Sequence, residues 1–198
     1  MPTALTSAAG GMCITADALK TADIIVTTAP AAISVAIRAA TGGVVSHAMI
    51  YAGNGQVIEA ITQGVVRRSL SIALARATLA VAYRHRNMSP ARAAAVIRFA
   101  QRQIHHGYDY LGIAGQAGQQ PRVRGVVCQL NPVCHVLFRE GGRRLQDSRR
   151  FFCSELVAEA YRSAGLPIVA GSSNTASPQT IVHASASGRL IYVGHLVT

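Results

Sequence analysis

Hydrophobic and polar residues alternate in several short runs along the chain, and glycine, proline or asparagine separates one run from the next. A period of two indicates β-strands, and the separating residues indicate turns. Residues 44–52 and 56–60 flank Gly53-Asn54-Gly55, a pattern that predicts a β-hairpin. Further strands are predicted at residues 23–28, 65–68, 79–84 and 190–193.

Other segments place their apolar residues at helical spacing. Ser89-Pro90 offers a hydroxyl cap and a first-turn proline for a helix that runs to about Ile104. Residues 152–164 carry an apolar stripe that Gly165 closes, and a shorter helix is predicted at 31–40. The mixture predicts an α+β fold in which an antiparallel sheet or partial barrel packs against helices.

The length of 198 residues suits one domain, which we place at residues 1–198. Within it, residues 112–150 are rich in Gly, Gln and Arg around an apolar patch at 126–138. Long irregular segments in compact domains are usually functional or disordered. This segment is therefore predicted to be an insertion or lid.

The chain is strongly basic, with 19 Lys+Arg against 8 Asp+Glu and a net charge of +11. Such a balance favours an acidic partner, for example an anionic membrane surface, although a generally basic surface without a dedicated partner fits equally. Zinc-finger spacing, a basic heptad helix and a run of stacking aromatics are missing from the sequence. Nucleic acid is therefore not the expected partner.

The amino-terminal residues show no basic segment followed by an apolar one, and no apolar run approaches ~18 residues. The prediction is a soluble protein that is cytoplasmic or exported without a cleaved signal. The oligomeric state is not indicated.

Four cysteines, at positions 13, 128, 134 and 153, are too scattered for a disulfide framework. Cys128 and Cys134 could pair, or could join His135 at a metal, but they lack a second ligand pair and are best interpreted as structural thiols. HExxH and a phosphate-binding glycine loop are also missing. No metal and no cofactor are expected.

Cys153 begins the predicted helix at 152–164. A thiol there faces unpaired backbone N–H groups and the positive end of the helix dipole, which favour a thiolate nucleophile. The same N–H groups can stabilise an oxyanion. The alternative is a buried cysteine beside two phenylalanines.

His47 and Glu59 lie on either side of the predicted hairpin turn, at similar distances from Asn54. They can be cross-strand neighbours ~5 Å apart. A carboxylate on one ring nitrogen would fix the tautomer and leave the other nitrogen to accept a thiol proton. The alternative is a core histidine with no chemical role.

The order of these residues resembles the YiiX-like branch of the circularly permuted NlpC/p60 hydrolases, in which the histidine strand precedes the cysteine helix. The motifs that carry the resemblance are Asp23–Val26, Ser46–Gly55, Val57–Ala60, Tyr108–Tyr110, Phe152–Val157 and Ser177–Gln179. Together they span about residues 22–182.

The resemblance implies a papain-like fold with Cys153 as nucleophile, His47 as base and Glu59 as the orienting residue. It also makes Tyr51 and Tyr108 candidates for lining the substrate pocket. The implied reaction forms an acyl-enzyme on amide or ester bonds, and the charge and the apolar patch favour lipid acyl bonds. The alternatives are a cell-wall peptide amidase with the same triad and a non-catalytic basic binding module.

Overall fold

A computed structural model describes residues 11–30, 32–108, 150–171, 173 and 176–197. The strands are β1 (Cys13–Ile14), β2 (Ile24–Thr28), β3 (His47–Gly53), β4 (Gln56–Ile61), β5 (Gly64–Ser69), β6 (Leu79–His85), β7 (Gly107–Tyr108), β8 (Arg150–Phe151) and β9 (Leu190–Leu196). The helices are α1 (Ala32–Thr41), α2 (Leu70–Leu74), α3 (Pro90–Arg102), α4 (Cys153–Ser163) and α5 (Pro178–Ala186), with a 3₁₀ turn at Ala16–Ala18.

Seven strands form one sheet in the order β1-β9-β6-β2-β3-β4-β5. Every pair in it is antiparallel except β1 with β9, and β7 and β8 form a separate parallel pair. The α+β class with an antiparallel sheet is therefore confirmed. The predicted insertion at 112–150 lies outside the described residues except for its last residue, and the single domain stays a prediction.

The sheet buries both of its faces. Along β2, Ile24 and Val26 pack on one face with residues of α3, α4 and α5, while Ile25 packs on the other with Leu70 and Leu74 of α2. Alternation along a strand produces this division, because successive side chains point to opposite faces. On this sheet, the helix α4 packs mainly against β3 and β4.

The β3–β4 hairpin closes through the predicted turn, in which Asn54 and Gly55 both have positive φ. Tyr51 lies opposite Val57, but the pair nearest the turn, Gly53 and Gln56, is displaced by one residue. A β-bulge therefore interrupts β3 near the turn. Beyond it, the odd-numbered residues of β3 and β4 share one face of the sheet.

The strand β3 begins at His47, three residues later than predicted. The backbone of Val44 is engaged elsewhere: its N–H donates to Oε1 of Gln179 at 3.0 Å, and its carbonyl accepts from the Thr28 hydroxyl. Gln179 lies on α5, which the sequence pattern did not predict. Ser177 caps that helix by accepting from the Thr180 N–H at 3.0 Å.

A buried ion pair fixes β2 against β6 and α4. The Asp23 carboxylate, 1% exposed, accepts from both Nε and Nη2 of Arg84 at 2.7 Å and from the Lys20 N–H at 2.8 Å. The Tyr161 hydroxyl of α4 donates to the neighbouring Ala22 carbonyl. These bonds set the position of α4, and hence of its first residue, relative to the sheet.

Candidate active site

His47 and Glu59 are brought together on the shared face of β3 and β4. The distance from His47 Nε2 to Glu59 Oε2 is 2.5 Å, and the Glu59 carboxylate is fully buried. The register continued from Tyr51 and Val57 places Glu59 opposite Met49. The expected contact is therefore made, but diagonally and not between directly opposed residues.

Cys153 is the first residue of α4 and is fully buried. Its side chain is close enough to His47 to interact with the ring through hydrogen bonding and charge. Because Nε2 is engaged by Glu59, the nitrogen that remains for the thiol is Nδ1. The thiol therefore lies at the end of α4 whose first N–H groups have no partner within the helix.

The environment of His47 favours the charged imidazolium. Burial alone would lower the pKa of His47, but the charge of Cys153 and hydrogen bonding to it, together with Glu59, raise the pKa from 6.5 to about 10. A thiolate beside an imidazolium is the activated form of a cysteine nucleophile.

Arg68 completes this polar cluster and was not singled out by the sequence. Its Nε donates to Oε1 of Glu59, the oxygen that His47 does not use. Burial would raise the pKa of Glu59, but the hydrogen bonds and charges of His47 and Arg68 lower it. The sequence showed only that Arg68 is a charged residue in the predicted strand at 65–68. Its partner Glu59 cannot be identified without the register between β4 and β5.

The two candidate tyrosines differ in their distance from this cluster. Tyr51 lies four residues along β3 from His47, about 13 Å at the rise of a strand. Its hydroxyl accepts from the Gly55 N–H at 3.0 Å, and it borders an open pocket at the turn with Lys20 and Asn54. The backbone of Tyr108 pairs with Phe151, while its side chain lies outside the described part. Their substrate role stays a prediction.

His106 lies next to the segment that leads into Cys153. Its ring is stacked on Phe151, with centroids 6.2 Å apart and planes at 5°. The residue lies four positions beyond the end of α3 at Arg102. Its carbonyl accepts from the Val65 N–H at 2.8 Å, so this stacked ring is tied to the start of β5.

Known proteins resemble the chain in sequence and in structure. No family model matches it. A curated Escherichia coli K12 protein named "Probable lipoprotein peptidase YaeF" is 29% identical over 201 residues, covering 92% of this chain and 73% of that protein. A solved structure described as metalloprotein YiiX from Escherichia coli O157:H7 matches with a TM-score of 0.50 and 20% identity, covering 73% of this chain and 66% of the other. The structural likeness confirms the predicted papain-like fold.

The donor set in the described residues does not fit a metal ion. Among them, no group of three or more His, Cys, Asp and Glu side chains converges. The Nε2 of His47 is already bound by Glu59. Cys13 is free and exposed, and Cys128 and Cys134 lie outside the described residues.

Proposed function

We propose that the chain is a member of the YiiX-like NlpC/p60 hydrolases and a cysteine hydrolase in which Cys153 is the nucleophile and His47 the acid–base residue. One observation carries the proposal. A thiol at a helix start contacts an imidazole whose far nitrogen is bound by the buried Glu59. This is the arrangement that activates a cysteine and fixes the tautomer of its base.

The reaction proceeds in two halves. The Cys153 thiol gives its proton to His47, and the thiolate attacks the substrate carbonyl to form a carbon–sulfur bond. Backbone N–H groups at the start of α4 stabilise the oxyanion. Collapse of this tetrahedral intermediate breaks the bond to the leaving amine or alcohol, which takes the proton from His47. Water then adds to the thioester while His47 accepts its proton, and collapse releases the acid and restores the thiol.

Two observations bear on the substrate. The name of the curated relative supports a peptide bond within a lipoprotein. The net charge of +11 supports a substrate at an anionic membrane surface and the preference for lipid acyl bonds. A lipid-linked peptide or acyl group held in such a membrane satisfies both, and a muropeptide of the cell wall is the alternative amide substrate.

Replacing the nucleophile tests the proposal. We expect Cys153→Ala to lower turnover by about 10³-fold or more while the fold is retained. Product should be measured from three substrates: a lipid-linked peptide, a phospholipid and a muropeptide. Cys13→Ala removes the exposed free cysteine and should keep full activity.

Equal product from wild type and Cys153→Ala would remove this thiol from the mechanism. If the wild type binds these substrates but turns over none of them, the chain is instead a non-catalytic basic module.

A further inference from the structure

The Glu59 carboxylate has both oxygens occupied although it is completely buried. His47 takes Oε2 at 2.5 Å, and the Nε of Arg68 donates to Oε1. Arg68 reaches it from β5, where its Cα partner is Val57, so the contact crosses the strands diagonally. The Arg68 side chain is 31% exposed, whereas the Glu59 side chain has no exposed surface. Arg68 therefore links the buried carboxylate to solvent.

The two partners of Glu59 differ in how constant their charge is. His47 must lose its proton to the leaving group during the proposed reaction and must regain one from water. Without Arg68, the buried Glu59 carboxylate beside the neutral His47 ring would then lack a compensating charge, which is costly. Arginine stays protonated at any pH that proteins experience, so its charge does not change during the cycle.

We propose that Arg68 is a positioning residue that keeps Glu59 ionised and correctly oriented in each state of the catalytic cycle. This inference rests on the proposed function, because it acts through Glu59 on the acid–base role of His47. Arg68 itself touches neither the thiol nor the substrate in this assignment. Its effect is on the residue that holds the base.

The surroundings of Glu59 make the contribution of Arg68 separable. His47 faces it from β3, with Cys153 of α4 beyond the ring, and Arg68 faces it from β5. The helix α2, which packs against β4 and β5, has the sequence LSIAL and carries no titratable group. Removing Arg68 therefore removes one cation from Glu59 and leaves the His47 contact in place.

The chain offers a matched control in the adjacent Arg67. It is exposed, and its Cα partner is Ile58, so it lies on the opposite face from Arg68. Arg67→Gln changes the net charge and the strand by the same amount as Arg68→Gln. It leaves the Glu59 carboxylate untouched.

The ionisation of Glu59 can be measured without a substrate. The chain contains four glutamates, Glu59, Glu140, Glu155 and Glu159, so selective ¹³C labelling of the glutamate carboxyls gives an NMR spectrum that Glu59→Gln assigns. We expect Arg68→Gln to raise the titration midpoint of Glu59 by about one pH unit, because an adjacent cation lowers a carboxyl pKa by about that much or more. Arg68→Lys should give a smaller rise, and Arg67→Gln none.

The acid limb of the kcat/KM profile should move upward by the same amount in Arg68→Gln. A purely structural role would lower activity at every pH without moving that limb. A Glu59 midpoint in Arg68→Gln equal to that in Arg67→Gln would overturn the inference.

If Arg68→Gln fails to fold, the double variant Glu59→Gln/Arg68→Gln decides. Recovery of folding supports the inference, because the uncompensated carboxylate has been removed, and failure of both variants contradicts it. The inference and the proposed function also fail separately. An inactive wild type refutes the hydrolase, whereas an active wild type with an unmoved Glu59 midpoint refutes the role of Arg68 alone.

Discussion

At the scale of single residues, the proton on His47 sets the alkaline limit of the proposed chemistry. With its pKa raised to about 10, the ring stays charged through neutral pH and can protonate a leaving group. We expect kcat/KM to fall as the pH rises through about 10 and to be lost in His47→Gln. If kcat/KM already declined with rising pH below about pH 8, that result would contradict the charge coupling between His47 and Cys153.

The same proton contributes to stability, and its sign follows from the direction of the shift. A folded pKa above the unfolded one stabilises the protein fully below about pH 6.5, and this contribution disappears as the pH rises through about 10. The free energy of unfolding of wild type relative to His47→Gln should therefore shrink across that window, as measured by denaturant titration.

At this scale, residue type and local spacing were enough to predict that Cys153 lies at a helix start and that His47 and Glu59 are neighbours across a turn. Their catalytic roles stay predictions. Arg68 was missed because its contact depends on which residues of β4 and β5 face each other. That register is a property of the assembled sheet and cannot be deduced from the strand itself.

At the scale of elements, α5 anchors the segment that leads into β3. Besides accepting from the Val44 N–H, the Gln179 side chain packs so tightly on Gly43 that a Cβ there would lie 2.5 Å from Oε1. The segment between Gly43 and His47 is thus fixed by a helix more than a hundred residues away in the chain. We therefore expect this contact to help position the base.

Removing the Gln179 amide tests that dependence. We expect Gln179→Ala to abolish the protection of the Val44 amide in hydrogen exchange and to cost about 1 kcal/mol of stability. His183→Ala is the control, because it removes the other contact of Gln179, at 3.2 Å, and leaves the bond to Val44. Unchanged protection of Val44 in Gln179→Ala would show that other contacts hold this segment.

The elements themselves were largely predictable, since alternation and capping are local signals. The departures have physical causes. β3 starts late because the backbone of Val44 bonds to the side chains of Gln179 on α5 and of Thr28, and not to the backbone of a neighbouring strand. α5 escaped notice although Ser177 and Pro178 are ordinary helix-start residues, because its hydrophobic stripe is weak and short.

At the scale of the whole molecule, charge is the dominant property. No helix in the described ranges is long and apolar enough to cross a bilayer. The net charge of +11 favours an electrostatic attraction to an anionic membrane surface, and salt weakens such an attraction.

We expect binding to vesicles that contain anionic phospholipid and none to vesicles of neutral phosphatidylcholine, as measured by sedimentation. Binding should decline toward about 1 M salt, where the screening length falls to roughly 3 Å. Cys153→Ala should bind as wild type does, since the thiol makes no contribution to the charge. Equal binding to both vesicle types would remove the electrostatic basis for a membrane substrate.

Because of the bulge in β3, the contact between His47 and Glu59 depends on which residues of β3 and β4 are paired, and not on how many residues separate them in the chain. Deleting Ala52 would remove the extra residue, leave Tyr51 opposite Val57 and keep Glu59 beside His47. If β3 kept Ala52 but lost the bulge, the Glu59 carboxylate would lie on the opposite face of the sheet from His47, although the sequence would be unchanged. Removing one residue from β3 is therefore expected to preserve the contact between His47 and Glu59, whereas removing the bulge is expected to break it. Homologues with eleven or ten residues between the histidine and the glutamate could therefore build the same pair.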